Sequence, residues 1–105
     1  MSIYGSWKNA LISSGQTASA EVDIGRDYDF LEIVIPAITQ AQIYLQVAEK
    51  TGGTFQELGD GSARSESTGG SFTTVFKLLG FQYIKVVSTV SQGADRTFRV
   101  RGGRF

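Results

Sequence analysis

Four arginines between residues 96 and 104 are the most concentrated chemical feature of this 105-residue chain: Arg96, Arg99, Arg101 and Arg104. Alternation of the surrounding residues places Arg99 and Arg101 on the outward face of one strand. They could form a solvated face with cross-strand ion pairs, a docking surface for an acidic partner protein, or a phosphate-binding patch. Ten basic and ten acidic residues give a net charge of zero, which disfavours general affinity for nucleic acid. We therefore rank the solvated face first and docking second, and expect no nucleic-acid partner.

Acidic residues in loops are the candidates for a cation site: Asp27, Asp29 and Asp60. Calcium takes about six to eight oxygen ligands, and no Asp-x-Asp-x-Asp-Gly pattern is present. Turn-forming aspartates are therefore the favoured interpretation. The chain has no cysteine and no histidine, which excludes a conventional zinc site and a histidine general base. We expect no metal and no cofactor.

Two glycine-rich segments, TGGTF at Thr51–Phe55 and TGGSF at Thr68–Phe72, do not have the pattern of a phosphate-binding loop. Neither is followed by Gly-Lys-Ser/Thr, and no helical pattern begins there. No sequence feature sets up an activated nucleophile, and the acidic residues are scattered rather than paired. We expect no catalytic residues, and we predict that the protein is not an enzyme.

The arginines must be positioned by the stretch from Phe81 to Arg101, where two strand-like runs flank a polar turn. Before the turn at Ser91–Asp95, Ile84 and Val86 alternate with Tyr83, Lys85 and Val87. After it, Phe98 and Val100 alternate with Thr97, Arg99 and Arg101. A period of two rich in β-branched and aromatic residues is typical of half-buried strands. We predict a closing β-hairpin here.

The rest of the chain shows the same periodicity, and no helical pattern is longer than a turn. Eight strands separated by turn signals predict an all-β, antiparallel, jelly-roll-like sandwich, with a closed barrel as the competing architecture. Pro36 should end a strand or lie at a sheet edge, because it has no backbone donor. The other six predicted strands are Lys8–Ile12, Ala18–Ile24, Phe30–Ile35, Ala41–Ala48, Phe55–Leu58 and Phe72–Leu78. The predicted core is Leu31, Ile33, Ile43, Leu45, Val47, Ile84, Val86, Phe98 and Val100.

Outward and loop positions follow from the same patterns. Ala18 and Ala20 should continue the inner face of Val22 and Ile24, whereas Tyr44 should point to solvent with its neighbouring glutamines. Gly59–Gly70 is polar and glycine-rich, which predicts a mobile surface loop.

The domain organisation predicted from the sequence is an N-terminal arm at residues 1–7 and one sandwich domain at residues 8–105. Ile3, Tyr4 and Trp7 give the arm an apolar character, suited either to a neighbouring molecule or to the first edge of the core. Residues 1–66 carry a net charge of −5 and residues 67–105 one of +5. This split either cancels in a folded sandwich or favours assembly. No signal-peptide pattern and no membrane-length apolar run is present, so we expect no membrane partner. The protein is expected to stay in a soluble compartment or to leave the cell by a route other than secretion.

Most of the chain resembles the small β-sandwich virion structural proteins of tailed bacteriophages. The resemblance is carried by YIKVVS and QGADRTFRVRG near the C terminus, with LEIVIPAITQAQIYLQVAE and GSWKNALISSGQTASAEVDIG before them. It implies assembly in the host cytoplasm and a final location on the virion.

Within that resemblance, a capsid decoration or head-fibre role is favoured over a tail role. It implies self-association and docking on the major capsid protein or other virion proteins. The residues expected to bind these partners are Ile3, Tyr4, Trp7, Arg99 and Arg101. The alternative is a tail- or fibre-associated module that recognises a carbohydrate or receptor, with tyrosine, tryptophan and the Gly59–Gly70 loop at its site.

Overall fold

The computed structural model describes residues 3–59, 66–68 and 70–104, and every regular element within these ranges is a β-strand. Ten strands occur there: β1 (Ile3–Tyr4), β2 (Lys8–Ile12), β3 (Val22–Asp23), β4 (Phe30–Ile35), β5 (Gln42–Ala48), β6 (Gln56–Glu57), β7 (Glu66–Thr68), β8 (Phe72–Lys77), β9 (Tyr83–Ser88) and β10 (Arg96–Arg104). All eight predicted strands are present in whole or in part, and β1 and β7 are additional. The predicted count of eight is therefore too low for the described residues.

The strands form two five-stranded antiparallel sheets. In sheet A the order is β2, β10, β4, β8, and β1 continues along the same edge of β10 as β2. In sheet B the order is β3, β9, β5, and both β6 and β7 pair with the far edge of β5. Apart from β1 to β2 and β5 to β7, successive strands alternate between the sheets. This order confirms the predicted jelly-roll-like sandwich.

The predicted core is confirmed between the two sheets. All nine predicted residues are buried, with at most 6% of any of them exposed. The inner face also includes Ile12, Ile35 and Leu78, which are fully buried. Pro36 directly follows the last residue of β4, as expected for a residue with no donor for the ladder.

The prediction of a closing hairpin at Phe81–Arg101 is wrong. β9 lies in sheet B beside β3 and β5, whereas β10 lies in sheet A. Alternation shows which side chains face the core. A hairpin within one sheet and a connection between the two sheets bury the same residues, so the pattern does not distinguish them. The connection between the strands crosses from one sheet to the other.

Gln92 holds that crossing connection, and it is only 1% exposed. Its amide nitrogen donates to the Ser88 hydroxyl at 2.9 Å and to the Val90 carbonyl at 3.1 Å. Its amide oxygen accepts from the Thr39 N–H at 2.8 Å. These bonds satisfy the buried amide and fix a connection that has no strand ladder of its own.

The segment Ala18–Ile24 forms a strand only at Val22–Asp23. The prediction of which side chains face the core is wrong for its first three residues. Ser19 is buried, whereas Ala18 and Ala20 are exposed. The reason is that the Ser19 N–H donates to the Val86 carbonyl at 2.9 Å, while the Ser19 hydroxyl accepts from the Val86 N–H at 3.0 Å.

Tyr44 was predicted to face solvent, but it is only 9% exposed on the outer face of sheet B. It lies between Val87 on β9 and Glu66 on β7. Strand β7 falls within the predicted mobile loop, so Glu66–Thr68 corrects that prediction. Residues 60–65 and 69 lie outside the described residues.

Candidate functional site

The first described residues lie against their own sandwich. Ile3 pairs with Arg104 and Tyr4 with Gly103, and the Gly5 N–H donates to the Gly102 carbonyl at 2.9 Å. Residues 3–5 of the predicted arm therefore extend sheet A along the last strand, and their side chains are placed by β10.

A cluster on the outer face of sheet A, which we call the arginine clasp, joins Tyr4 and Trp7 to Glu32 and Arg101. The Arg101 Nε donates to Glu32 Oε1 at 3.0 Å and its Nη2 to Oε2 at 3.5 Å. The guanidinium carbon lies 4.5 Å from the centroid of the Tyr4 ring and 4.6 Å from that of the Trp7 ring. One arginine thus connects β4, β10 and the arm.

The clasp is partly shielded from water, with 26% of the Arg101 side chain and 19% of the Glu32 side chain exposed. Each cation–π contact contributes about 0.5–1 kcal/mol at exposed sites and more where water is excluded. The hydrogen bonds to the carboxylate are charge-assisted and fix the plane of the guanidinium group. Arg101 therefore holds the two aromatic rings in place.

The other three arginines bond to different parts of the chain. Arg96 donates to the Gln92 amide oxygen, Arg99 to Asn9 Oδ1, and Arg104 to the Asp29 carboxylate and the Asp27 carbonyl. Arg101 and Arg104 thus pair with acidic residues from the first half of the chain. This arrangement matches the solvated face with cross-strand pairs, and it brings oppositely charged parts of the sequence together.

Apolar side chains share the outer face of sheet A with the clasp. Leu11, Val34 and Val75 are 44%, 37% and 46% exposed. Strand register places Val34 between Arg99 and Thr73, and it places Glu32 between Arg101 and Val75. A face that combines exposed aliphatic groups, aromatic rings and arginine has the composition typical of protein interfaces.

The structure brings together three of the five predicted docking residues, Tyr4, Trp7 and Arg101. Arg99 lies on the same face two residues earlier in β10, and Ile3 lies opposite Arg104 and is 39% exposed. Sequence reasoning missed the apolar residues Leu11, Val34 and Val75. Their signal was available, because each occupies an outward position of a predicted strand where a polar residue is usual.

A separate open groove of about 550 Å³ lies beside the end of β5. Its lining includes Leu58 and Phe81, the charged residues Glu49 and Lys50, and the exposed Leu79. Leu79 has φ +59°, a left-handed conformation that is uncommon for a residue with a branched side chain. The turn that carries it is closed by the Phe81 N–H, which donates to the Leu78 carbonyl at 3.3 Å.

Two carboxylates have lowered pKa values because they accept hydrogen bonds in turns. The Thr51 hydroxyl and the Gly52 N–H lower the pKa of Glu21. The Gln82 amide and the Gly25 N–H lower the pKa of Asp23. In both cases the ionised form is stabilised, as expected for a carboxylate that fastens neighbouring loops.

The loop aspartates have partners or lie outside the described residues. Asp27 is 3.7 Å from Arg26 and Asp29 is 3.0 Å from Arg104, whereas Asp60 is not described. Among the residues that the structure describes, no three acidic side chains gather as a metal site requires. The described part of the chain also holds no helix with the length and hydropathy of a membrane span.

Comparison with known proteins gives similarity in fold. No family model and no curated protein sequence matches the chain. The crystal structure of the SPBc2 prophage-derived protein YomS is similar, with a TM-score of 0.58 and 17% sequence identity, covering 93% of this chain and 92% of that one. The IMPa metallopeptidase in complex with T-antigen has a TM-score of 0.47 and 16% identity, covering 94% of this chain and 12% of that one. The first comparison shows a shared sandwich fold over nearly the whole of both chains.

Proposed function

We propose that this chain is a non-enzymatic virion structural protein of a tailed bacteriophage, in the role of a capsid decoration protein. The observation that carries the proposal is its end-to-end likeness in fold to a prophage-derived protein. The resemblance of the sequence to small virion proteins points the same way. On this proposal the chain is made in the host cytoplasm and docks on the major capsid protein or another virion protein.

The outer face of sheet A supports this role because it offers apolar area around a fixed arginine. A stable contact needs about 800 Å² from each partner. Exposed charge pairs contribute only about 0–1 kcal/mol each, so most of the affinity must come from apolar groups. Tyr4, Val34 and Val75 supply such groups, while Arg99 supplies an exposed charge that can guide association.

The proposal is tested on particles produced by cells that carry the gene. Particles banded in a density gradient should contain the chain at a fixed copy number relative to the major capsid protein, measured by quantitative mass spectrometry. Cryo-electron microscopy of the same particles should place it on the capsid surface. A chain found only in the unbanded lysate would contradict a virion role, and density restricted to the tail would contradict decoration.

The groove beside β5 favours a second candidate function, recognition of a carbohydrate or receptor from the tail or a fibre. The lining of the groove combines aromatic, aliphatic and charged side chains, as ligand sites commonly do. Binding to a glycan array should then be reduced at least about tenfold by Phe81→Ala, because stacking on one ring is lost. Trp7→Ala, on the other sheet, is the matched control. Equal binding by both variants and the parent would contradict this function for the groove.

A further inference from the structure

Strand β8 is the last strand of sheet A, and one of its two edges is unoccupied by the strands that the structure describes. β4 pairs with the other edge through six consecutive residue pairs, from Phe30 with Lys77 to Ile35 with Phe72. The Leu78 N–H donates to the Asp29 carbonyl, and the Ser71 N–H donates to the Pro36 carbonyl, which extends the pairing at both ends. The strand that presents the outer edge is therefore regularly paired and held in position.

The usual devices that protect a strand edge are not found in β8. Such edges are normally shortened, bulged, or interrupted by proline or by central charges, because their backbone N–H and C=O groups would otherwise pair with another chain. The register with β4 contains no bulge, the sequence FTTVFK contains no proline, and its one charge, on Lys77, is at the end. The outward side chain in the middle is Val75, which is 46% exposed. An edge of this kind is suited to receive another strand.

We propose that β8 pairs antiparallel with β8 of a second copy of this chain about a two-fold axis at Val75. The two sheets A would then form one continuous sheet across the dimer. Val75 would lie opposite Val75 of the second copy, and Thr73 opposite Lys77 of the second copy. This proposal gives a surface to the self-association that the resemblance to small virion proteins implies.

The side chains of β8 favour this symmetric register. Outward positions are Thr73, Val75 and Lys77, because Phe76 points into the core and is 4% exposed. Centring the pair on Val75 places apolar against apolar and keeps the two lysines apart, whereas centring it on Lys77 would oppose like charges. It also joins the exposed Val34 and Val75 of both copies into one apolar band across the dimer. The second copy is therefore a self-complementary occupant of the edge.

The test uses charge complementation at the two-fold axis, followed by sedimentation velocity over a concentration series. The unaltered chain should show a monomer–dimer equilibrium. Val75→Lys and Val75→Glu should each weaken dimerisation at least about tenfold, since each variant opposes two like charges. An equimolar mixture of the two variants should dimerise again, because the opposed charges then attract. Only a position that faces its own copy gives this pattern.

Val90→Lys is the matched control, since Val90 is 42% exposed on the connection between β9 and β10 and should leave dimerisation unchanged. Circular dichroism should show that every variant retains the β fold. Any of three results would overturn the proposal. These are a monomeric unaltered chain, full dimerisation by Val75→Lys, and a mixture of the two Val75 variants that fails to dimerise. A monomeric chain that still bands with particles would overturn the dimer alone and leave the virion role standing.

Discussion

Replacing Gly102 with alanine should cost the sandwich about 3–5 kcal/mol, comparable to removing a buried aromatic side chain. A Cβ atom at Gly102 would lie 2.0 Å from Cδ2 of Tyr28 and 2.4 Å from its Cγ. The backbone at Gly102 cannot shift away from Tyr28, because Gly102 pairs with Leu31 in the middle of sheet A. Tyr28, which is 7% exposed, would have to leave its place in the core. Chemical denaturation of the parent and the variant measures the difference in unfolding free energy.

A double-mutant cycle separates this collision from other effects of the added methyl group. Once Tyr28→Ala has removed the ring, Gly102→Ala should cost about 2 kcal/mol less than it does in the parent, because the ring atoms at 2.0 and 2.4 Å are gone and only the Cβ of residue 28, at 2.8 Å, still has to shift. Gly93→Ala is the matched control, since its nearest atom would be Thr39 Oγ1 at an ordinary 3.6 Å. Its expected effect is within about 0.5 kcal/mol. A similarly small effect at Gly102 would show that Tyr28 does not cover this strand.

The close approach at Gly102 also fixes the beginning of the chain. The Tyr28 ring lies against Gly5 as well, where a Cβ would be 2.9 Å from the phenolic oxygen. Gly5 is in turn hydrogen-bonded to Gly102. The arm backbone at Gly5 is therefore held by one buried tyrosine. The Tyr4 and Trp7 side chains of the arm are held further out by Arg101. Gly102→Ala should consequently loosen the arm before the whole sandwich unfolds.

Alternation along the strands was sufficient to predict the core and the sandwich, because burial on one face imposes a period of two on each strand. Leu31 and Ile33 on β4, for example, could be assigned without knowing their neighbours. Strand pairing could not be predicted in the same way. Whether β10 lies beside β9 or beside β4 depends on contacts between distant residues, and the same pattern satisfies both. The burial of Tyr44 likewise depends on β7, which a polar, glycine-rich segment gave little reason to expect.

The candidate site was predictable in its residue types but not in its contacts. The aromatic arm and the arginine strand were identified separately, as two surfaces expected to bind partners. Their meeting depends on β1 lying along β10, and a two-residue strand such as Ile3–Tyr4 has no periodicity to reveal it. Glu32 was recognisable as a charge in an otherwise apolar strand. Its role as the carboxylate partner of Arg101 required the register of β4 with β10.

Replacing Arg101 with alanine should loosen the Tyr4 and Trp7 side chains and impair particle docking almost as strongly as deleting residues 1–7. The side chain supplies both ring contacts and the bond to Glu32, so its removal leaves Tyr4 and Trp7 without their shared support. Loss of an aromatic anchor at an interface costs about 2 kcal/mol or more, which is about a thirtyfold loss of affinity. Trp7 is the only tryptophan in the chain, so its fluorescence emission reports the arm directly and should shift to longer wavelength.

Two further substitutions define what Arg101 contributes. Arg99→Ala removes an exposed arginine from the same strand face, so it should leave the fluorescence unchanged and mainly slow association at low salt. Arg101→Lys keeps the charge but loses the planar guanidinium group that bonds the carboxylate and stacks on the rings, so it should recover little docking.

Docking at the parental level by the chain that lacks residues 1–7 would contradict a role for the arm. If Arg101→Ala docked normally although its fluorescence was shifted, the arm would bind its partner without prior ordering of its rings by Arg101. If the chain docks as proposed, the contacts from Glu32 to Arg101 to the two rings should make docking depend on a largely covered residue rather than on the exposed arginine beside it.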